Sequence, residues 1–269
     1  MALNKVKSNG LVLLGCGKMG SALLQGWLER GMLPATVWVI DPQPSEWLRA
    51  QGVNLNMALP KAPAIVVIAV KPQVMAEALP VLAHLGGRTL FLSIAAGITI
   101  AAYEQVLGAT TPIIRAMPNT PAAVARGISA ICGNARVQEA DMALAEALLT
   151  AVGEVVRLQG EFQMDAVTAV SGSGPAYVFY LIEALTAAAV AEGLPAPLAA
   201  RLALATVAGA GELARRSPDD PAQLRVNVTS PGGTTAAALA VLMDPKTGFT
   251  PLLKRAVRAA AARGQDLGK

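Results

Sequence analysis

One short stretch restricts this chain to a narrow set of folds. The apolar run Leu11 to Leu14 leads into Gly15-Cys16-Gly17-Lys18-Met19-Gly20, which opens a helix-like segment reaching about Arg30 before Gly31. Strand, glycine loop and helix follow in the order that a dinucleotide-binding βαβ unit requires. Gly15 permits the tight turn, Gly17 lets backbone approach a pyrophosphate, and Gly20 allows helix and strand to lie close, while the helix N-terminus offers free N–H groups. The same pattern alone also occurs as a plain turn in unrelated α/β proteins. Asp41, about twenty residues beyond Gly20 at the end of a second apolar run, is placed to bind the hydroxyls of an adenosine ribose. Cys16 fills the variable loop position, as an inert spacer or as a thiol activated by the helix N-terminus.

Beyond the loop, short β-rich runs alternate with helix-like segments: Leu11 to Leu14, Val37 to Ile40, Ile65 to Val70, Thr89 to Ile94 and Pro112 to Arg115. That alternation predicts a doubly wound, mostly parallel sheet, with a further strand pair around Ile128 to Cys132 and Glu154 to Leu158. The N-terminus is expected to lead straight into the first strand. After about Glu161 the strand pattern gives way to Ala/Leu/Val segments, with helices predicted over Tyr177 to Ala191, Leu198 to Leu213 and Thr235 to Leu242. The expected organisation is therefore a Rossmann domain over residues 1–160 and an all-helical domain over 161–269. These helices are apolar around most of their circumference, more than one core requires, which predicts packing against a second subunit.

Composition excludes several classes. Hydrophobic residues make up 54% of the chain and charged residues 15%, yet the long uncharged runs are broken by Gly, Pro, Ser or Asn, as at Ser171 to Pro175, so no membrane span is expected. Two cysteines, Cys16 and Cys132, are too few for a disulfide framework and lack metal-ligand spacing; no metal is expected and the thiols should be reduced. With no apolar leader ending at a cleavage site, a cytoplasmic location is expected. The net charge of +4 is scattered, and the cluster Lys254, Arg255 and Arg258 has helical spacing without interleaved aromatics, so no nucleic-acid partner is expected.

Candidate site residues collect where strands end. Ala69-Val70-Lys71-Pro72 closes one strand and Ser93-Ile94-Ala95-Ala96-Gly97 the next, the edge where ligands of open α/β sheets bind. Pro72 holds Lys71 extended, so its ammonium either reaches a cofactor phosphate or ribose or stays a solvated loop lysine. Met117-Pro118-Asn119-Thr120-Pro121 is a proline-fixed loop that presents the Asn119 amide to a nicotinamide or is simply a rigid turn. Two small-residue loops each launch a later helix: Ser171 to Tyr177, and Val228-Thr229-Ser230-Pro231-Gly232-Gly233-Thr234-Thr235. In the second, Ser230 is expected as N-cap and Pro231 as first helical residue, leaving the N–H groups of Gly232, Gly233 and Thr234 unpaired. That is either an ordinary capped helix or a seat for an anion such as a substrate carboxylate.

Taken together, these motifs resemble the pyrroline-5-carboxylate reductase family over nearly the whole chain, from the glycine loop through Ala69 to Pro72, Met117 to Pro121 and Ser171 to Tyr177, to Thr229 to Thr235. The resemblance implies an enzyme that reduces 1-pyrroline-5-carboxylate to L-proline with NADPH or NADH. It implies a Rossmann domain joined to a helical domain that interlocks in a homodimer, with dimers often assembled into a decamer, and an active site between the cofactor and a neighbouring subunit's second domain. By position it places Gly17, Lys18 and Met19 on the cofactor pyrophosphate, Asn56 beside the adenosine, and Ala69, Lys71, Ala96 and Asn119 near the ribose and nicotinamide. Ser230, Gly232, Gly233 and Thr234 match the carboxylate loop, and Thr235 the threonine whose hydroxyl faces the imine nitrogen.

Two departures stand out. Asp41-Pro42-Gln43 occupies a position where NADPH-favouring members often carry Ser, Asn or Arg, so an acid there is expected to weaken the preference for a 2′-phosphate. Val226 replaces a residue that is commonly polar before the carboxylate loop. A β-hydroxyacid dehydrogenase shares the two-domain plan but needs a lysine early in the interdomain helix, and Ser171 to Ala191 contains none. A non-catalytic dinucleotide sensor has no use for the Ser230 to Thr235 loop. The sole histidine, His84, is expected in a surface loop, which leaves catalysis to orientation.

Overall fold

The computed structural model describes residues 3–267. A short helix, α1 (Asn4–Asn9), precedes the first strand, where the sequence suggested a direct entry. It forms because Val6 finds buried packing and Gly10, at φ 84°, reverses the chain and donates its N–H to the Val6 carbonyl. Eight strands follow: β1 (Leu11–Leu14), β2 (Val37–Ile40), β3 (Asn54–Leu55), β4 (Ile65–Ile68), β5 (Leu90–Ser93), β6 (Ile113–Met117), β7 (Gly127–Gly133) and β8 (Gly153–Arg157). They form one sheet in the order β3-β2-β1-β4-β5-β6-β7-β8. All neighbours are parallel except β6 and β7.

The expected strands lie within a few residues of those observed. β4 ends at Ile68 rather than Val70, and the two-residue β3 was not anticipated, being too short to show a pattern. In β1, β4 and β5 every residue is buried, because both faces of a parallel sheet are covered. Successive side chains go to opposite faces: Leu11, Leu13, Ile65 and Val67 join one core, Val12, Leu14, Val66 and Ile68 the other. Helix α2 (Lys18–Glu29) covers the first face, and α3 (Ile100–Leu107) contributes Tyr103 and Leu107 to the second; α4 (Glu139–Leu149) returns to the first.

The chain up to Gly172, with the segment from Ala260 onward, forms one compact unit; Ser173–Ala259 forms the other. The family-scale division expected at residue 160 therefore precedes the boundary between compact units. In the second unit, α5 (Gly174–Ala191) and α6 (Ala196–Arg216) pack against each other and are followed by α7 (Pro221–Asn227) and α8 (Thr234–Leu242). The last helix, α9 (Phe249–Leu267), begins in the second unit and ends in the first. The run Glu161–Ala191 is long and apolar enough to cross a membrane by composition, although Thr168–Gly172 form a π turn within it.

Candidate active site

The carboxyl edge of the sheet brings the early motifs together. β1 lies between β2 and β4, so strand order reverses beside it, the place where open α/β sheets bind their ligands. There Gly15 donates its N–H to the Ile40 carbonyl (2.8 Å), Ala69 to Leu14 (2.8 Å), Asn56 to Val39 (2.8 Å) and Ile94 to Ile68 (3.0 Å). Gly15, Asp41, Asn56, Ala69 and Ala96 therefore all stand at or just beyond the same strand ends.

The three loop glycines have three different constraints. Gly15 has φ 86°, and a Cβ on it would sit 2.7 Å from Val70. A Cβ on Gly20 would lie 2.6 Å from the Gly15 carbonyl oxygen, so this glycine lets α2 approach the loop. On Gly17 a Cβ would meet nothing within 4 Å among the described residues, and its φ of −71° suits any residue. Protein packing thus does not demand glycine at 17, and the bare backbone there leaves room for a ligand to pass. Gly17 is the N-cap of α2 without a side-chain cap, and the first intrahelical bond runs from Ser21 to Gly17, so the N–H groups of Lys18, Met19 and Gly20 face outward as orphan donors. Open space, free donors and the positive helix end fit a pyrophosphate.

Asp41 has a second task that its spacing did not reveal. Its Oδ2 accepts the Cys16 N–H at 2.8 Å and its Oδ1 accepts that of Gln43 at 2.8 Å, so the carboxylate ties the glycine loop to the end of β2. Asn56, at φ 52°, completes the brace: its Nδ2 donates to the Asp41 carbonyl (2.8 Å) and its Oδ1 accepts the Asp41 N–H (2.9 Å). Asn tolerates this left-handed conformation, which aims its amide back across the strand. Cys16 is 8% exposed, and burial together with the neighbouring Asp41 carboxylate pushes its thiol up to about 12. Both features favour the inert spacer over an activated thiol.

Lys71 is exposed and extended (φ −66°, ψ 147°) ahead of the turn Pro72–Val74, as the following proline dictates. Ala96 is half-buried after β5. Asn119 is 9% exposed, and its Oδ1 accepts the Ile128 N–H at 2.9 Å, which fixes the side chain and leaves its NH₂ group as the donor it can present. Ser171 and Gly172 belong to the π turn rather than to a loop; Ser171 Oγ donates to the Val167 carbonyl (3.0 Å), and Gly172 sits against the tip of Met117. His84 is exposed, in the 3-10 segment Pro80–Leu85.

The late loop differs from its sequence expectation. Ser230 is not the N-cap of α8 and Pro231 is not its first residue: the helix begins at Thr234 with Gly233 as N-cap. Proline followed by Gly232 at φ 69° makes a type II-like turn, closed by the Gly233 N–H donating to the Ser230 carbonyl at 3.1 Å. Gly232 cannot continue a right-handed helix in that conformation, so the helix start moves three residues on. The Gly233 N–H is thereby paired, and the orphan donors become those of Thr234, Thr235 and Ala236. Ser230 Oγ lies over Gly233, where a Cβ would be 2.5 Å away. Three unpaired donors remain, shifted along the chain to include Thr235.

A polar cluster escaped the sequence reading. Arg115, 4% exposed, pairs with Glu161 at 2.8 Å, and Ser93 Oγ lies 2.5 Å from the Tyr103 hydroxyl. The available signal was an arginine inside the otherwise apolar stretch Ile113–Met117.

Comparison with known proteins agrees with this geometry. Residues 161–267 match the family model for pyrroline-5-carboxylate reductase dimerisation, and residues 11–97 match that for coenzyme F420-dependent NADP oxidoreductase. The chain is 42% identical over 268 residues to pyrroline-5-carboxylate reductase of Synechocystis sp., covering 96% of this chain and 98% of that protein. The structure of the Coxiella burnetii pyrroline-5-carboxylate reductase superposes with a TM-score of 0.90 at 33% identity, covering 97% of this chain and 99% of that one. The NADP-bound Plasmodium falciparum pyrroline carboxylate reductase superposes with a TM-score of 0.84 at 31% identity, covering 97% and 98%. With similarity to pyrroline-5-carboxylate reductases over 96% of its length, the chain belongs to the pyrroline-5-carboxylate reductase family.

Proposed function

We propose that this chain reduces the cyclic imine 1-pyrroline-5-carboxylate to L-proline with NADPH or NADH, the last step of proline biosynthesis. Besides the family likeness, the observation that carries this reading is the start of α8, where the first-turn N–H groups of Thr234, Thr235 and Ala236 are left unpaired behind a proline-glycine turn. A carboxylate accepts such donors well, and the helix dipole favours its charge. The bound dinucleotide supplies the hydride that the imine carbon receives. Ser230, Gly232, Gly233 and Thr234 shape the carboxylate seat, and Thr235 directs its hydroxyl at the imine nitrogen, which becomes a secondary amine. A cyclic imine arrives protonated readily, so orientation rather than a strong protein acid carries the rate.

On the dinucleotide side, Gly15, Gly17, Lys18 and Met19 hold the pyrophosphate, Asp41 and Asn56 the adenosine end, and Ala69, Lys71, Ala96 and Asn119 the ribose and nicotinamide. Residues 1–160 serve the cofactor and 161–269 serve substrate and association. We assign a homodimer, assembled five times into a decamer, as the working form. We place it in the cytoplasm, consistent with two buried free thiols, Cys16 and Cys132.

Steady-state oxidation of each reduced dinucleotide with pyrroline-5-carboxylate, against a panel of 2-keto and 3-hydroxy acids, tests the reaction. Turnover confined to an acid of the panel would overturn it. Thr235→Ala is expected to lower kcat by roughly 10- to 100-fold with dinucleotide Kd almost unmoved, and wild-type turnover in that variant would remove Thr235 from the chemistry.

A further inference from the structure

The segment between β5 and α3, residues 94–99, carries Ala96 and, with Ile100 at the helix start, is held at both ends. At its start the Ala95 N–H donates to Ser93 Oγ (3.2 Å), and that hydroxyl shares the 2.5 Å hydrogen bond with Tyr103. At its end the Ile100 N–H donates to Glu161 Oε1 (2.8 Å), the same oxygen that receives Arg115 Nη1 (2.8 Å). Gly97 turns between the two anchors at φ 77°. Ser93 and Tyr103 have no solvent exposure, and Arg115 has 4%.

Such a cluster needs a reason. Arg115 is almost wholly withdrawn from water while Glu161 keeps 30% of its side chain exposed, so the arginine loses most of its hydration to a partly solvated partner and the pair returns little net stability. What an ion pair adds is direction: the guanidinium fixes one carboxylate oxygen, and that oxygen fixes one backbone amide. Here the fixed amide begins the helix behind the segment that carries Ala96.

We propose that Glu161, held by Arg115, and Ser93, held by Tyr103, clamp residues 94–100 so that Ala96 is pre-set to receive the nicotinamide end of the dinucleotide. Glu161 and Arg115 are positioning residues, acting through backbone and touching neither substrate nor cofactor. The proposal rests on the functional reading above, in which Ala96 lines the dinucleotide site.

The test compares the full-length wild-type protein with Glu161→Ala, which removes both bonds, and with Glu161→Gln, which keeps an acceptor for Ile100 but not the charge. Hydrogen exchange without cofactor should show the Ile100 amide exchanging about tenfold faster in Glu161→Ala, with Leu13 in β1 unchanged. Calorimetric titration with NADPH and NADH should show Kd raised about five- to tenfold in Glu161→Ala and by less in Glu161→Gln. KM for pyrroline-5-carboxylate at saturating dinucleotide should hold within about twofold. A general loss of structure would accelerate exchange in β1 as well and shift both constants together, and that result overturns the proposal. So does an unchanged dinucleotide Kd in a folded variant. Should Glu161→Ala not fold, Glu161→Gln decides by the same readouts. A wild-type protein that binds neither dinucleotide overturns the functional reading itself, an outcome separate from a clamp that fails in the variants alone.

Discussion

The sheet unit and the helical unit treat apolar side chains in opposite ways. In the first, β1, β4 and β5 are buried throughout, and Tyr103, Phe91 and Trp27 are almost wholly enclosed. In the second, only Ala199 and Ala203 are buried among the described hydrophobic residues of Ser173–Ala259, while Phe179 and Tyr180 are 58% and 70% exposed. Apolar helices with that much uncovered surface are incomplete as a single copy, and the family match names the segment that contains them as a dimerisation segment. The sheet unit supplies its own core; the helical unit needs a neighbour to have one.

The largest test breaks the second half while sparing the first. Phe179→Asp with Tyr180→Asp should dissociate the assembly, read as a fall in mass by light scattering, because losing two central aromatics costs at least about 2 kcal/mol of association. Dinucleotide binding should survive and turnover should collapse. An unchanged mass would show that this face is not where copies meet.

Next comes a contrast inside the glycine loop. Gly20→Ala forces a Cβ to 2.6 Å from a backbone oxygen and should lower stability by about 1–3 kcal/mol in denaturant titration. Gly17→Ala has open space and an ordinary φ, so the apoprotein should be as stable as wild type while dinucleotide affinity drops about tenfold. Equal stability losses in both would mean that Gly17 answers to protein packing, contrary to the open cradle.

Asp41 sharpens the comparison at smaller scale. Its charge opposes a 2′-phosphate, so the wild type should use NADH at least as efficiently as NADPH. Asp41→Ser should move the ratio of kcat/KM toward NADPH by about tenfold, roughly one elementary charge interaction at partial burial. Higher wild-type efficiency with NADPH than with NADH would refute the specificity role and leave Asp41 only its bonds to Cys16 and Gln43.

The smallest effect concerns the thiols, both in the sheet unit. Burial raises Cys16 to about 12 and Cys132 to about 11, so both stay protonated in the folded state. Raised values mean that the native state holds its protons longer. This contribution to stability is fully present below the ordinary thiol value near 9 and fades as pH climbs through 11 and 12. Alkylation at pH 8 should accordingly be at least about 100-fold slower in folded than in urea-unfolded protein, measured by mass spectrometry. Rapid labelling of Cys16 would show that the glycine loop opens.

Much of the sheet unit is legible in sequence because its local signals agree with its fold. Unbroken runs such as Ile65 to Ile68 mark strands buried on both faces, and Gly15 and Gly20 each satisfy a separate geometric demand. Boundaries slipped where a strand's last residues turn toward the site, as at Ala69 and Val70. The start of α8 was misplaced because Ser-Pro suits both a helix N-terminus and a turn, and only the left-handed Gly232 decides between them. Glu161 and Arg115 were invisible as a pair since they are distant in sequence, and no periodicity reports an ion pair. Asn56 entered through the family resemblance alone; its clasp on Asp41 depends on a backbone conformation that no spacing encodes.

The reversed direction of β7 has a further effect. A parallel successor to β6 would have obliged the chain to cross to the far rim of the sheet before returning. The antiparallel strand instead lets it turn back at once, so the stretch bearing Asn119 is a short bridge with both footings on one rim, bolted by the bond from Ile128. The same bridge also rests against α2 and against the turn that leads from α4 into β8, so the amide it displays is held by more than its own two strands.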